Sequence, residues 1–206
     1  MKPFLLPILG IILTGAFLKT NAANIGSKAP KLQIEHWIKG KPVDINKADE
    51  KKIHVIEFWA TWCGPCRTSI PHQTKLQKKF KNKGVTIIGV TDEKKSTVER
   101  FVRREGEQME YTVAIEKGDS MSQSYMRAYG QTGIPSAFVV DQKDRIVWVG
   151  HPMNGLEEVI DRLVKGTFDL ETEIAKEKAQ IRLQQLSVQY WERLVEGEKN
   201  DATKKT

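Results

Sequence analysis

The chain has 206 residues, and its 33 Lys and Arg against 26 Asp and Glu give a formal net charge of +7. A surplus of this size biases encounters toward acidic partners. The basic residues are scattered and not interleaved with stacking aromatic residues, which argues against nucleic acid as a partner. The length suffices for one domain with a hydrophobic core, plus an appendage.

The first segment has the composition of a secretory signal peptide. Lys2 precedes an apolar run over residues 4–18, and small residues follow around Ala22 and Ala23. We therefore predict a signal peptide over residues 1–22 and a periplasmic or otherwise extracytoplasmic location for the mature protein. The alternative is an uncleaved membrane anchor, for which the apolar run is short.

The next part of the chain predicts a strand–helix–strand unit. Short strands are expected at 33–35 and 42–44. The continuous apolar runs 53–60 and 85–90 are typical of strands that are buried on both faces. Between them the pattern is helical from Cys63 to Phe80, with a kink expected at Pro71.

The rest of the sequence completes an α/β domain over residues 24–166. Ser96 or Thr97 can cap a helix that ends near Gly106. Further elements are predicted in chain order: a strand at 111–115, a helix at 120–129, a hairpin of strands 137–140 and 146–149, and a helix at 156–163. This order indicates a mixed central sheet flanked by helices on both faces.

Cys63 and Cys66 are the only cysteines, and they lie in the sequence Trp62-Cys63-Gly64-Pro65-Cys66 between a predicted strand and a predicted helix. That position places the first sulfur at a helix N-terminus, where the helix dipole stabilises a thiolate. The thiolate is the attacking species in disulfide exchange. A structural disulfide is the alternative, but a bridge across two residues would constrain the unfolded chain very little.

The sequence Phe58-Trp59-Ala60-Thr61-Trp62 before the cysteine pair, with Pro71, Gly133-Ile134-Pro135 and Gly150 after it, resembles the thioredoxin superfamily. The predicted signal peptide and an extra helical segment between about 92 and 130 make the chain similar to the exported TlpA/ResA-like thiol-disulfide oxidoreductases. The resemblance covers roughly residues 26–166. It implies a thioredoxin-like fold and an exported enzyme that most often acts as a protein-disulfide reductase.

The resemblance also assigns roles to the two thiols. Cys63 would attack a substrate disulfide, and Cys66 would resolve the mixed disulfide that results. Gly64 and Pro65 between them resemble the intervening pair of the reducing members, whose potentials lie near about −270 mV. Pro65 has no N–H and fits the first turn of a helix.

Glu57 lies six residues before Cys63, where thioredoxins carry a buried acid. A buried carboxyl has a raised pKa, and it would accept the proton of Cys66 during resolution. The alternatives are a surface position or a helix-capping contact. Glutamate also departs from the aspartate that is usual in thioredoxins.

The resemblance implies a substrate-binding surface around the thiols. Ile134-Pro135 corresponds to the family's cis-proline loop, in which the Ile134 backbone pairs with an extended substrate segment. Trp62 would be partly exposed beside the site, together with Gly64 and Pro65. Trp59 would pack below the site.

No organic cofactor or metal is expected, because the dithiol is itself the redox centre. None of the four histidines lies at metal-ligand spacing from the thiols. Protein disulfides are the predicted substrates, and another redox protein must supply electrons. The alternative function is a thioredoxin-fold binding module, a chaperone or metal-delivery protein whose thiols hold cargo.

Residues 167–206 form an extension that the resemblance does not cover. A helix is predicted over 170–195, with apolar residues on two faces, and 200–206 are predicted to be disordered. Such a helix must pack on something. Three alternatives are open: the helix docks on its own domain, it forms a dimer or partner helix, or it is a loosely ordered arm.

Overall fold

The computed structural model describes residues 24–46 and 52–203. Six strands form one sheet: β1 (Ile34–Lys39), β2 (Ile53–Phe58), β3 (Val85–Thr91), β4 (Thr112–Glu116), β5 (Ser136–Val140) and β6 (Ile146–Gly150). Four α-helices are present in the described part of the chain: α1 (Gly64–Phe80), α2 (Lys95–Glu105), α3 (Leu156–Lys165) and α4 (Leu170–Thr203). A π-helical segment covers Ser122–Arg127.

The strand order is β1-β4-β3-β2-β5-β6, which places β2 in the centre of the sheet. β2, β3 and β4 run parallel to one another, whereas β5 is antiparallel to β2, β6 to β5 and β1 to β4. The predicted mixed sheet is therefore confirmed. All six side chains of β2 are buried, as its continuous apolar run predicts.

Each face of the sheet packs against its own hydrophobic core. Val55 and Trp59 of the β2 segment face a core to which α1, α2 and α3 contribute. Ile56 and Phe58 face a second core, which includes Tyr125 of the π-helical segment. The alternation along β2 decides which of its side chains lie under α1, and therefore under the cysteines at the start of that helix.

Two predicted local features are wrong. Residues 42–44 do not form a strand: Pro42 has no N–H to donate to a ladder, and the Asp44 carboxylate accepts the backbone N–H of Asn46 at 3.0 Å, which closes a turn. Neither Ser96 nor Thr97 caps α2. The helix begins at Lys95, and the Lys94 carbonyl already accepts the N–H of Thr97 at 2.9 Å.

The helix predicted over 120–129 is largely a π-helix. The buried Glu116 carboxylate accepts the backbone N–H groups of Met121 at 2.7 Å and Ser122 at 2.9 Å, which fixes the start of the segment. Its end contains the longer i-to-i−5 bond from the Gln131 N–H to the Met126 carbonyl, at 2.8 Å. π-helical turns are frequent at functional sites, and this one borders the cavity described below.

Up to Leu194, the C-terminal helix α4 docks only by its first two turns. Leu170 is buried and Ile174 partly buried against the α1-side core, and Arg162 of α3 pairs with Glu173 at 3.0 Å. From Lys178 to Leu194 every side chain is exposed. Docking on the chain's own domain is therefore correct for the beginning of α4 and wrong for the segment from Lys178 to Leu194. The helix also runs past the predicted end, to Thr203.

The predicted signal peptide lies outside the described residues, as do the last three residues of the predicted disordered tail. Within residues 24–46 and 52–203, no helix has both the length and the apolar character needed to cross a membrane.

The division of α4 predicts different effects of two truncations. A chain that ends at Lys178 keeps Leu170 and Ile174, so at a dilution where both proteins are monomeric its free energy of unfolding should lie within about 0.5 kcal/mol of the full chain. A chain that ends at Gly166 loses both side chains and should be less stable by about 3 kcal/mol. Urea denaturation measures both values. Equal losses in the two chains would contradict the docking described here.

Candidate active site

The two cysteines lie where β2 leads into α1. Cys63 is the N-cap residue of α1, and its Sγ accepts the backbone N–H of Cys66 at 3.1 Å. The two sulfurs are joined as a disulfide. Cys63 retains 4% exposure and Cys66 has none, so the first sulfur of the pair is the more accessible one.

The first turn of α1 favours negative charge on Cys63. The turn contains no acidic residue, and Pro65 occupies a position where a missing N–H costs nothing. The free N–H groups of a helix N-terminus carry a partial positive charge. A thiolate on Cys63 would therefore be stabilised, as the sequence predicts.

The cis-proline loop lies against the disulfide. The Ile134-Pro135 peptide bond is cis, which confirms the prediction from the sequence. The Ile134 carbonyl oxygen lies 3.7 Å from the Cys63 Sγ. β5 begins directly after Pro135, and its first residue, Ser136, pairs with Phe58 at the end of β2. This pairing brings two segments that are 71 residues apart into one site.

The other predicted substrate-binding residues form an exposed rim. Trp62 is 74% exposed, and Gly64 and Pro65 beside it are also exposed. Trp59 is buried, with its ring centroid 5.4 Å from that of Phe101. The exposed rim therefore directly flanks Cys63 in the chain, whereas Cys63 itself is 4% exposed.

A cavity of about 380 Å³ opens beside the cis-proline loop. Its wall includes Gly133 and Ile134 of the loop, and Met126 and Arg127 of the π-helical segment. Sequence reasoning missed this cavity because its wall depends on the π-helical backbone.

Glu57 lies buried beneath the helix that carries the cysteines. Its Oε1 accepts the Ser69 hydroxyl at 2.9 Å, and Ser69 belongs to α1. Burial raises the Glu57 pKa to about 7, although the nearby Ser69 and Gln73 side chains act to lower it. The predicted burial is confirmed, the raised pKa follows from it, and the surface position is wrong.

Ser69 and Glu93 are site residues that the sequence did not indicate. The Glu93 carboxylate accepts the backbone N–H of Thr61 at 2.6 Å and the Thr61 hydroxyl at 2.7 Å. These two bonds hold the turn that presents Trp62 and Cys63. No sequence signal marks Glu93, because the contact depends on the parallel pairing of β2 with β3.

Histidine side chains are common metal ligands. Across the described ranges, no three His, Cys, Asp or Glu side chains are grouped so that they could hold a metal ion. The thiols remain the reactive groups that this site brings together.

Residues 24–161 match the family described as Redoxin. The chain belongs to the Redoxin family. Among its relatives, the thiol-disulfide oxidoreductase ResA of Bacillus thuringiensis (strain Al Hakam) is 32% identical over 134 residues, which are 65% of this chain and 73% of that protein. The protein FixW of Rhizobium leguminosarum is 24% identical over 156 residues, 72% of this chain and 69% of its own length.

Solved structures share the fold of this redoxin. The thioredoxin domain of a thiol-disulfide oxidoreductase from Bacteroides vulgatus has a TM-score of 0.59 at 24% identity, over 69% of this chain and 99% of that one. A thiol:disulfide interchange protein from a Bacteroides species has a TM-score of 0.59 at 23% identity, over 72% of this chain and 95% of that chain. The fold is thioredoxin-like, and with the Cys63–Cys66 pair the chain is a thiol-disulfide oxidoreductase.

The raised pKa of Glu57 predicts a pH-dependent stability. Unfolding returns the carboxyl to its ordinary pKa of 4.5, compared with about 7 in the fold. The contribution of protonated Glu57 to the free energy of unfolding is therefore fully present below pH 4.5. It is lost as the pH rises from 4.5 to about 7. The oxidised wild type should lose about 3 kcal/mol relative to Glu57→Gln across this window.

Denaturant unfolding of the two oxidised proteins at several pH values measures this difference. Glu107→Gln is the control, because Glu107 is exposed. A constant difference between wild type and Glu57→Gln at every pH would contradict the raised pKa.

Proposed function

We propose that this chain is an exported protein-disulfide reductase that cycles between the Cys63/Cys66 dithiol and disulfide. The observation that carries the proposal is the arrangement around Cys63. The helix N-terminus lies behind the sulfur, the Ile134 carbonyl lies 3.7 Å from it, and a buried acid lies beneath the helix.

The first step joins the enzyme to its substrate. The Cys63 thiolate attacks one sulfur of a substrate disulfide, a new S–S bond forms, and the other substrate sulfur leaves as a thiolate. The Ile134 backbone pairs with the extended substrate segment, and Trp62, Gly64 and Pro65 border the same segment. The cavity beside the loop accepts a substrate side chain.

The second step releases the substrate. The Cys66 thiol transfers its proton to the Glu57 carboxylate, and the Cys66 thiolate then attacks the Cys63 sulfur of the mixed disulfide. The second substrate thiolate leaves, and the Cys63–Cys66 disulfide forms. A Glu57 pKa of about 7 supports this role, because both the ionised and the protonated carboxyl are then populated near pH 7.

Two features favour the reducing direction. Gly64-Pro65 is the intervening pair that reducing members of the superfamily carry. The carboxylate of Glu57, held in a dry interior, disfavours thiolates near it and so disfavours the reduced form of the pair. Reduced enzyme is regenerated by an electron-donor redox protein, and no organic cofactor or metal takes part.

An extracytoplasmic site of action follows from the composition of residues 1–22. Those residues have a short basic start, an apolar run and small residues at the predicted cleavage point. Export would place the thiols in a compartment where protein disulfides form and persist.

Trapping of mixed disulfides tests the division of labour between the thiols. Cys66→Ser should accumulate covalent complexes with a disulfide substrate, because Cys63 still attacks and nothing resolves. Cys63→Ser should accumulate none, because the remaining sulfur is fully buried. Disulfide-bonded insulin serves as the substrate, after each variant has been reduced with dithiothreitol and the excess dithiothreitol has been removed.

The same experiment separates an enzyme from a thiol-based carrier. The wild type should reduce insulin catalytically when dithiothreitol is supplied, and both variants should lose this turnover. Equal trapping by the two variants would overturn the assigned roles. A wild type without turnover would favour the binding module.

Self-association through α4 is the second part of the proposal, and the proposed partner is a second copy of the chain. Leu183, Leu186, Tyr190 and Leu194 are exposed and are three or four residues apart, so they share one face of the helix. No charged residue occurs from 183 to 191, although the chain carries a net charge of +7. Two copies can therefore bring this face together without like-charge repulsion.

Sedimentation velocity tests the proposed dimer. The full chain should sediment as a dimer, whereas Leu186→Gln combined with Tyr190→Gln should sediment as a monomer with unchanged insulin reduction. Arg182→Gln, on an exposed position of the same helix, is the control and should remain a dimer. A monomeric full chain would overturn self-association.

A further inference from the structure

Ser69 is a fully buried hydroxyl that lies between two acceptors. Its Oγ is 2.9 Å from the Glu57 Oε1 and 2.8 Å from the carbonyl oxygen of Cys66. A hydroxyl has only one hydrogen, so Ser69 cannot donate to both oxygens at once. The Cys66 carbonyl can only accept.

The charge of Glu57 decides which acceptor receives that hydrogen. An ionised carboxylate forms a stronger hydrogen bond than an amide carbonyl, so Ser69 then donates to Oε1. A protonated carboxyl offers a weaker acceptor, and the hydroxyl then turns to the Cys66 carbonyl, as serine side chains in helices often do toward the preceding turn.

The second oxygen of Glu57 remains available for the proton. Oε2 is buried and has no hydrogen-bond partner among the described residues. A buried carboxylate oxygen without a donor is costly, and such an atom is a strong proton acceptor. Ser69 therefore holds one oxygen in place and leaves the other one to take up a proton.

Among the described residues, no charged side chain contributes to the pKa of Glu57 in a way that would substitute for Ser69. Its sheet neighbours are Gly89 on β3 and Ala137 on β5. Gln73 on α1 is neutral, and burial raises the pKa of Tyr111, at the start of β4, well above its ordinary value. Ser69 links Glu57 to Cys66, because its hydroxyl also lies 2.8 Å from the Cys66 carbonyl oxygen.

We propose that Ser69 is a positioning residue that keeps Glu57 able to accept the Cys66 proton, because its hydroxyl donates to the carboxylate and turns to the Cys66 carbonyl when the carboxyl is protonated. The inference rests on the role of Glu57 in the proposed function. The proton leaves the Cys66 sulfur and binds Glu57 Oε2, and no electron is transferred in this step. Without the hydroxyl, only Gln73 would oppose the effect of burial, and Glu57 would stay mostly protonated at neutral pH.

A pair of isosteric variants isolates the hydroxyl. Ser69→Thr keeps it and Ser69→Val removes it, so both share any strain from the added volume. Carboxyl-carbon NMR of Glu57 in the oxidised protein should give a midpoint near 7 for the wild type and the Thr variant. The Val variant should titrate at about 8, because a hydrogen bond to a charged group is worth about one pKa unit.

The release of a mixed disulfide gives the functional readout. The Val variant should release substrate about fivefold more slowly than the Thr variant at pH 7 and equally fast once Glu57 is fully ionised. Thr68→Ala is the control, because the Thr68 hydroxyl lies 3.4 Å from the Gly64 carbonyl on the same helix but is exposed and does not reach Glu57.

Three further outcomes would count against different parts of the account. Identical NMR midpoints for the Thr and Val variants would overturn the contact between Ser69 and the Glu57 charge. A shifted midpoint with an unchanged pH profile of release would also overturn it, and it would locate the failure in the role of Glu57. A wild type that does not reduce insulin would overturn the proposed function, but it would not affect the NMR result.

Discussion

The site depends on the way α1 begins. The Cys63 sulfur accepts the N–H of Cys66 at 3.1 Å and takes the place of the oxygen with which Ser, Thr or Asp usually caps a helix. The reactive atom is therefore also the atom that satisfies a free N–H group of the first turn. Its position is set by the backbone of the helix and by the end of β2, rather than by a flexible side chain.

The sheet brings the other parts of the site to this point. Because β5 pairs with β2 through Phe58 and Ser136, the cis peptide bond before Ser136 has to lie beside Cys63. Because β2 pairs with β3 through Glu57 and Gly89, the space next to the acid has no side chain from β3. A Cβ on Gly89 would lie 2.9 Å from the Tyr111 ring, so only glycine fits there.

Much of this could be predicted from the sequence. The buried strand, the cysteine pair at a strand-to-helix junction and the cis-proline loop each have a local pattern, and the structure has all three. Glu57 could be placed beneath the site by its distance from Cys63 along the chain. Its orientation could not, because an apolar residue on either side leaves the alternation ambiguous until α1 supplies Ser69.

The features that were missed depend on side-chain contacts that no local sequence pattern marks. Glu93 holds Thr61 across the parallel pairing of β2 and β3, and Glu116 fixes the start of the π-helical segment. The predicted strand at 42–44 failed for a local reason, the turn that Asp44 closes on Asn46. The apolar periodicity of α4 does not specify what the exposed part of the helix packs against. That depends on tertiary and quaternary contacts.

The central claim is that the thiol pair acts as a reductant. The helix N-terminus stabilises a Cys63 thiolate and alone would favour the reduced form, whereas the buried Glu57 opposes negative charge beneath the pair. Equilibration with glutathione or dithiothreitol buffers at pH 7 measures the balance as a reduction potential. The account predicts a value near about −270 mV, and a value near about −120 mV, typical of a strong oxidant, would contradict it.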